Sequence, residues 1–262
     1  MIRSMWTAAA GMTAQELRID VMANNLANVS TNGFKKSRAE FEDVFYQTLK
    51  TAGAATPTGG STPAGIQVGL GVRPTAVKKI FSEGDITQTK NELDMAIEGS
   101  GFFQVQAGDQ IVYTRDGSFQ KDSTGLVVNA RGDVLQPPIT VPDGTVTINI
   151  DKYGAVSFLS GDTPQTTLGT AQINIYTFTN EAGLKAVGSN YYIPTEGSGD
   201  PIEGTPGNGN FGSIAQGYIE ASNVNALEEL VTMIAGQRAY ELNSRTIRTA
   251  DSMLQTVSTI KS

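Results

Sequence analysis

Apolar residues at the two ends of this chain recur with helical spacing, whereas the middle alternates in short, strand-like runs. Near the start, Met5, Met12, Ile19 and Leu26 lie seven residues apart, and Ala8, Met22 and Val29 widen the stripe. Near the end, Met233, Tyr240, Ile247 and Leu254 repeat that spacing, flanked by Leu230, Ile234, Met253, Val257 and Ile260. Such a stripe is a seam that wants a partner helix, because one helix alone cannot bury it. The pattern predicts helices from about Ile2 to Val29 and from about Asn225 to Ile260. Each is the other's nearest partner, and a neighbouring copy of the chain is the next.

Local signals punctuate both helices. Ser30-Thr31-Asn32-Gly33 closes the first, since Asn and Gly tolerate the left-handed conformation that ends a helix. Asn225 with Glu228 three residues later reads as a capping box opening the second. Gln15, Asn24, Asn25 and Asn28 interrupt the first stripe, either as surface and helix-end residues or as buried polar groups that fix register. Gly236 costs its helix roughly 1 kcal/mol relative to alanine; it is a tolerated flaw or a place where a neighbouring backbone comes close.

Between the helices, Phe34–Lys50 suits a short helix or an extended arm, and Thr51–Gly65 reads as an irregular loop. From Ile66 onward short segments alternate with glycine-bearing turns: Ile66–Val72, Val77–Phe81, Leu93–Ile97, Phe102–Gln106, Ile111–Thr114 and Leu126–Asn129. Val146–Ile150 and Ile173–Tyr176 alternate as strands with one buried face. Glu196–Asn210 is a second loose stretch. The expected fold is therefore α+β: paired, coiled-coil-like N- and C-terminal helices around a central all-β, turn-rich region. Three regions follow: 1–33 with 225–262 as the helical domain, 34–95 with 204–224 as an extended connector, and 96–203 as an outer β domain.

Composition narrows the function. Hydrophobic residues make up 39% and glycine contributes 29 positions, which suits many short strands rather than one thick core. A net charge of −7 with no basic stripe argues against a nucleic-acid partner. With neither His nor Cys, the usual general base and the commonest metal ligands are missing, so no catalytic, cofactor or metal residue is assigned. Charges within the first helix exclude a membrane span, and no strong apolar core follows Arg3, so no cleaved signal peptide is expected. Arg131-Gly132-Asp133 reads as a hairpin turn. Gly69-Leu70-Gly71 lacks the helix a dinucleotide site needs, and the sequon at Asn28 sits at a helix end. Asp85, Glu92, Asp94 and Glu98 form an acidic group that fits a solvated β edge or, in a rival account, a carboxylate-only glycan site. Glu16, Arg18, Asp20 and Lys35, with Glu228, Glu229, Arg238, Glu241, Arg245 and Arg248, either follow the helix dipoles or pair between subunits.

Longer segments resemble one family. Asn24, Asn25, Asn28, Asn32, Gly33 and Phe34 lie in Ala23–Lys35, which resembles the signature of the flagellar basal-body rod and hook family. Gly99–Val105, Tyr113–Phe119, Gln216–Glu220, Ser222–Asn225 and Gln237–Glu241 are similar to its further blocks. Length, with Phe41–Asp43, Tyr46–Thr48 and Gly69–Pro74, places the chain nearest the distal-rod branch; the proximal rod and a hook-like axial subunit are the alternatives. The resemblance implies a helical homopolymer, with the terminal helices lining its core and the β domain facing outward. It implies partners too: other rod subunits below, the hook protein above, periplasmic and outer-membrane ring proteins around it, and the flagellar export apparatus. Rod subunits work where the rod crosses the periplasm to the outer membrane. Because a lone subunit has nothing to cover its stripes, the termini are expected to order on assembly. Met5, Met12, Ile19, Met22 and Leu26 would then pack with Leu230, Met233, Ile234, Tyr240, Ile247 and Leu254.

Overall fold

The structure, a computed structural model, describes residues 2–53, 63–161 and 166–260. It contains two compact units. One combines Met1–Leu26, Ser37–Lys78 and Asn225–Ser262; the other combines Ala27–Lys36 and Lys79–Val224.

The first unit holds both long helices, α1 (Ile2–Ala27) and α2 (Ala226–Ile260). α1 stops short of the expected Val29 because the chain turns at Asn28, whose carbonyl accepts from Thr31 N–H. At the start of α2, Asn225 Oδ1 accepts from the backbone N–H groups of Leu227 (3.1 Å) and Glu228 (3.3 Å), as an N-cap should. Glu228 and Glu229 in the first turn suit the positive end of the helix dipole. The helices are antiparallel neighbours. Asn25 meets Glu229, Gln15 and Ile19 meet Gly236, and Gly11 meets Asn243, so one sequence rises as the other falls.

The segment after α1 is extended, which settles the helix-or-arm alternative. Strand Ser37–Asp43 pairs with Val72–Lys79, and Tyr46–Lys50 pairs antiparallel with Ile66–Gly69. Much of the loop expected at Thr51–Gly65 lies outside the described residues.

The second unit is built on a seven-stranded sheet. Its order is Lys185–Gly188, Tyr191–Ile193, Gln110–Thr114, Phe103–Ala107, Val134–Gln136, Val127–Asn129 and Phe119–Lys121. A three-stranded antiparallel sheet of Thr145–Ile150, Ala155–Ser160 and Thr167–Gln172 packs its inward residues into the same core. Alternation does the sorting: Phe103 and Val105 are buried while Gln106 is exposed. A second cluster consists of edge-on aromatic rings, with Phe102 touching Phe81, Phe178 and Tyr192, and Tyr113 touching Tyr176 and Phe178. Glu196–Asn210 is more ordered than its composition suggests. It includes strand Ile202–Gly204, paired with Ile175–Thr177, because backbone pairing needs no apolar side chains. Arg131-Gly132-Asp133 is a hairpin turn, with Gly132 at φ +88° and Asn129 Oδ1 accepting from the N–H groups of Arg131 and Asp133.

Candidate functional site

On α1, Met22 and Asn25 are buried, while Met5, Met12, Ile19 and Leu26 are half-buried. On α2, Met233, Ile247 and Leu254 are half-buried, and Leu230, Ile234 and Tyr240 are exposed. Glu229, Gly236 and Asn243, at seven-residue spacing on α2, are among the residues that meet α1. Gly236 faces the side chains of Ile19 and Gln15; the neighbours are side chains, not a close backbone. Gln15 Oε1 is buried there without a hydrogen-bond partner. A broad apolar face is left open on the helices: Trp6 is 71% exposed, Leu227 72%, Val231 60% and Leu242 60%. Faces of this kind mark association surfaces.

Asn25 is the first residue where separate segments meet. Its side-chain amide donates to the Ser37 carbonyl and accepts from Ser37 N–H, both at 2.9 Å, and Nδ2 also lies 3.4 Å from Glu229 Oε1. One buried side chain thereby replaces a stretch of ladder pairing and touches α2. Asn25 is therefore a buried polar junction between α1 and the strand that follows it. Asn24 stands exposed on the same helix, and Asn28 Oδ1 accepts from the Thr31 hydroxyl.

The second meeting point lies in the β unit, around Lys35. The Asn32 carbonyl accepts from Asn190 Nδ2, and Gly33 N–H donates to the Glu220 carbonyl at 2.8 Å. Gly33 sits at φ +66°, and a Cβ there would lie 2.6 Å from the Asp116 nitrogen, so only glycine fits. Phe34 is buried beneath the Lys79 ammonium, 4.7 Å from its ring centre. Lys35 Nζ, fully buried, donates to Glu220 Oε1 (2.5 Å) and to the Ser82 carbonyl (2.7 Å). Glu220 Oε1 also accepts from Gly84 N–H. Arg115 Nη1 and Nη2 donate to the carbonyls of Ile97 (3.2 Å) and Gly99 (2.6 Å), and the guanidinium lies over the Phe102 ring. Asn223 Oδ1 accepts from Lys36 N–H, and its amide donates to the carbonyls of Ile80 and Ser82.

Gly33, Phe34, Lys35, Gly99, Arg115, Glu220 and Asn223 belong to blocks that carried the family resemblance, while Lys79–Gly84, Ile97 and Asn190 come from outside them. Burial lowers the Lys35 pKa, reinforced by Arg115 and opposed by Glu220. Burial likewise raises Glu181, against the pull of Arg115 and Lys35. Two buried cations thus share the Glu220 carboxylate, whose Oε2 lies 3.8 Å from Arg115 Nη1. The arrangement offers rigidity rather than a reactive centre. The sequence grouped Lys35 with helix charges available to a neighbouring subunit; its partner is instead Glu220 of the same chain.

The acidic group disperses into separate tasks. Glu92 Oε2 accepts from Ile148 N–H, Asp94 from Asn91 Nδ2 and Glu98 from the Ser213 hydroxyl, while the Asp85 carbonyl accepts from Ala221 N–H. These carboxylates hold loops and strand edges, and no group of three or more metal-ligand side chains gathers among the described residues. No helix among them is long and apolar enough to cross a membrane.

Comparison with known proteins matches residues 5–35 to the family described as flagella basal body rod protein. Residues 96–158 match the flagellar hook protein FlgE/F/G D1 domain, and 215–260 the C-terminal region of flagellar basal body rod FlgEFG proteins. The flagellar basal-body rod protein FlgG of Buchnera aphidicola subsp. Schizaphis graminum is 48% identical over 98% of this chain and 99% of its own length. That of Borreliella burgdorferi is 46% identical over 100% of this chain and 99% of its own length. The flagellar hook protein FlgE of Helicobacter pylori is 43% identical, but over 52% of this chain and 19% of its own length.

Proposed function

The chain belongs to the flagellar basal-body rod protein family, and from that premise we propose that it builds the distal segment of the rod. It is a structural subunit that polymerises into a helical tube, transmits torque from motor to hook and encloses the export channel. Residues 1–33 with 225–262 act as the polymerising helices, packed as a coiled coil with neighbouring copies. Residues 34–95 with 204–224 serve as the connector, and 96–203 form the outer β domain. Further rod subunits stand below it and the hook protein above. Ring proteins of the periplasm and outer membrane surround it, and the flagellar export apparatus delivers it.

The observation that carries this is the apolar face left open on both terminal helices, in a chain matched end to end by rod proteins. The hairpin Tyr46–Lys50 with Ile66–Gly69 adds a second such surface: Phe45 is 85% exposed beside it, and Tyr46, Leu49, Ile66 and Val68 are also exposed. A two-stranded ribbon is marginal alone and gains stability when a neighbour covers it.

Electron microscopy of the concentrated full chain, beside a version lacking residues 1–33 and 225–262, tests the proposal. Tubes from the full chain only are expected, together with a blue shift of Trp6, the single tryptophan, as it leaves water. Tubes from both versions would remove the helices from the mechanism. Restored motility in cells lacking the distal rod subunit, and not in cells lacking a proximal one, assigns the position along the rod.

A further inference from the structure

Strand Thr145–Ile150 is one of the two outer strands of its three-stranded sheet, paired on one side with Ala155–Ser160. An outer strand offers a row of backbone groups to any second chain that comes near. Here side chains occupy that row. Gln216 Oε1 accepts from Ile150 N–H at 2.9 Å, and Gln216 Nε2 donates to the Ile148 carbonyl at 2.6 Å. Donating to one residue and accepting from the residue two further on is the bonding of one residue in a parallel neighbouring strand. Glu92 adds the missing acceptor, its Oε2 taking Ile148 N–H at 2.9 Å, while its carbonyl accepts the second bond from Gln216 Nε2 and fixes the amide's orientation.

Gln216 is anchored for this work, because its backbone pairs with Met95 at the end of strand Ser213–Gln216. At the other end of the edge the register shifts between Thr145 and Thr147, so Val146, 68% exposed, lies off a regular ladder. A break in register is a further way of spoiling an edge as a template.

We propose that Gln216 and Glu92 together act as a side-chain substitute for a strand, closing the edge at Ile148 and Ile150 against strand addition by another copy of this chain. The device depends only on the geometry of the β unit and stands whether or not the chain forms a rod.

The test compares the full-length protein with Gln216→Leu and with Gln110→Leu, an equally apolar change at an exposed glutamine on a hairpin end. Amide hydrogen exchange at Ile148 and Ile150 is expected to rise roughly tenfold or more in Gln216→Leu, with exchange at Thr147 and Asn149 unchanged. On standing, that variant is expected to form β-rich aggregates that bind thioflavin T, and Gln110→Leu is not. Should Gln216→Leu not fold, Gln216→Asn, whose shorter amide cannot span both groups, serves in its place with the same readouts. Unchanged exchange at Ile148 and Ile150, or aggregation equal to that of Gln110→Leu, would overturn the proposal.

Discussion

Lys35 has no exposed surface and two strong acceptors, so its removal leaves the Glu220 carboxylate buried with less compensation. Breaking a buried pair from one side typically costs about 3–5 kcal/mol. Lys35→Met should therefore lower the urea midpoint of the full chain sharply, and Lys35→Met with Glu220→Gln should recover part of the loss. A midpoint within error of the wild type would mean the pair contributes nothing net. Glu181 gives a pH signature at the same cluster. Its folded pKa is raised by burial above the ordinary 4.5, so its contribution to stability is full below that value and is lost as pH rises through the folded pKa. Thermal melts from pH 4 to pH 7 should show Glu181→Gln gaining on the wild type across that window; parallel curves would dissociate Glu181 from the cluster.

Among the elements, the two helices were legible from spacing alone because their burial is one-sided over many turns. Three further α2 residues that touch α1 were not legible as such. Glu229, Gly236 and Asn243 are small or polar, and an apolar count passes over them, although their seven-residue interval is visible in the sequence. The strands were found to within a residue or two where apolar side chains alternate, as at Phe103–Ala107. Ile202–Gly204 was missed, since its pairing rests on backbone groups that any sequence carries. The Lys35–Glu220 pair was equally hidden, because nothing in a single sequence ties two residues so far apart. The row facing α1 and the row facing away can be separated by mutation. Ile234→Asp, on the exposed side, should leave the melting temperature of the monomer nearly unchanged and abolish tubes in electron microscopy. A large drop in monomer stability would show that Ile234 packs within its own chain.

For the whole molecule, charge and stickiness are divided between the two units. The excess of Asp and Glu lies in Ala27–Lys36 with Lys79–Val224, while the unit with both helices is close to neutral. A near-neutral unit with open apolar faces associates readily, and an acidic β unit resists non-specific contact. The same division predicts uneven proteolysis. Helices with one uncovered face open more often than a sheet with a filled core, so brief trypsin treatment of the monomer should cut at Arg18, Arg238 and Arg245 before it cuts between Lys90 and Lys185. Simultaneous cutting throughout would mean the termini are as well protected as the β core.

The clamp at Lys35 also imposes an order in time. Its partner Glu220 lies 185 residues further along the chain, and the Asn25–Glu229 contact spans 204. Neither can close while the chain is still being made or threaded end-first through a narrow conduit. A molecule cut short of Glu220 leaves Gly33 and Lys35 without that partner. The first 35 residues are thereby fastened only once Glu220 and Glu229 are present, so the fold closes on its late segments.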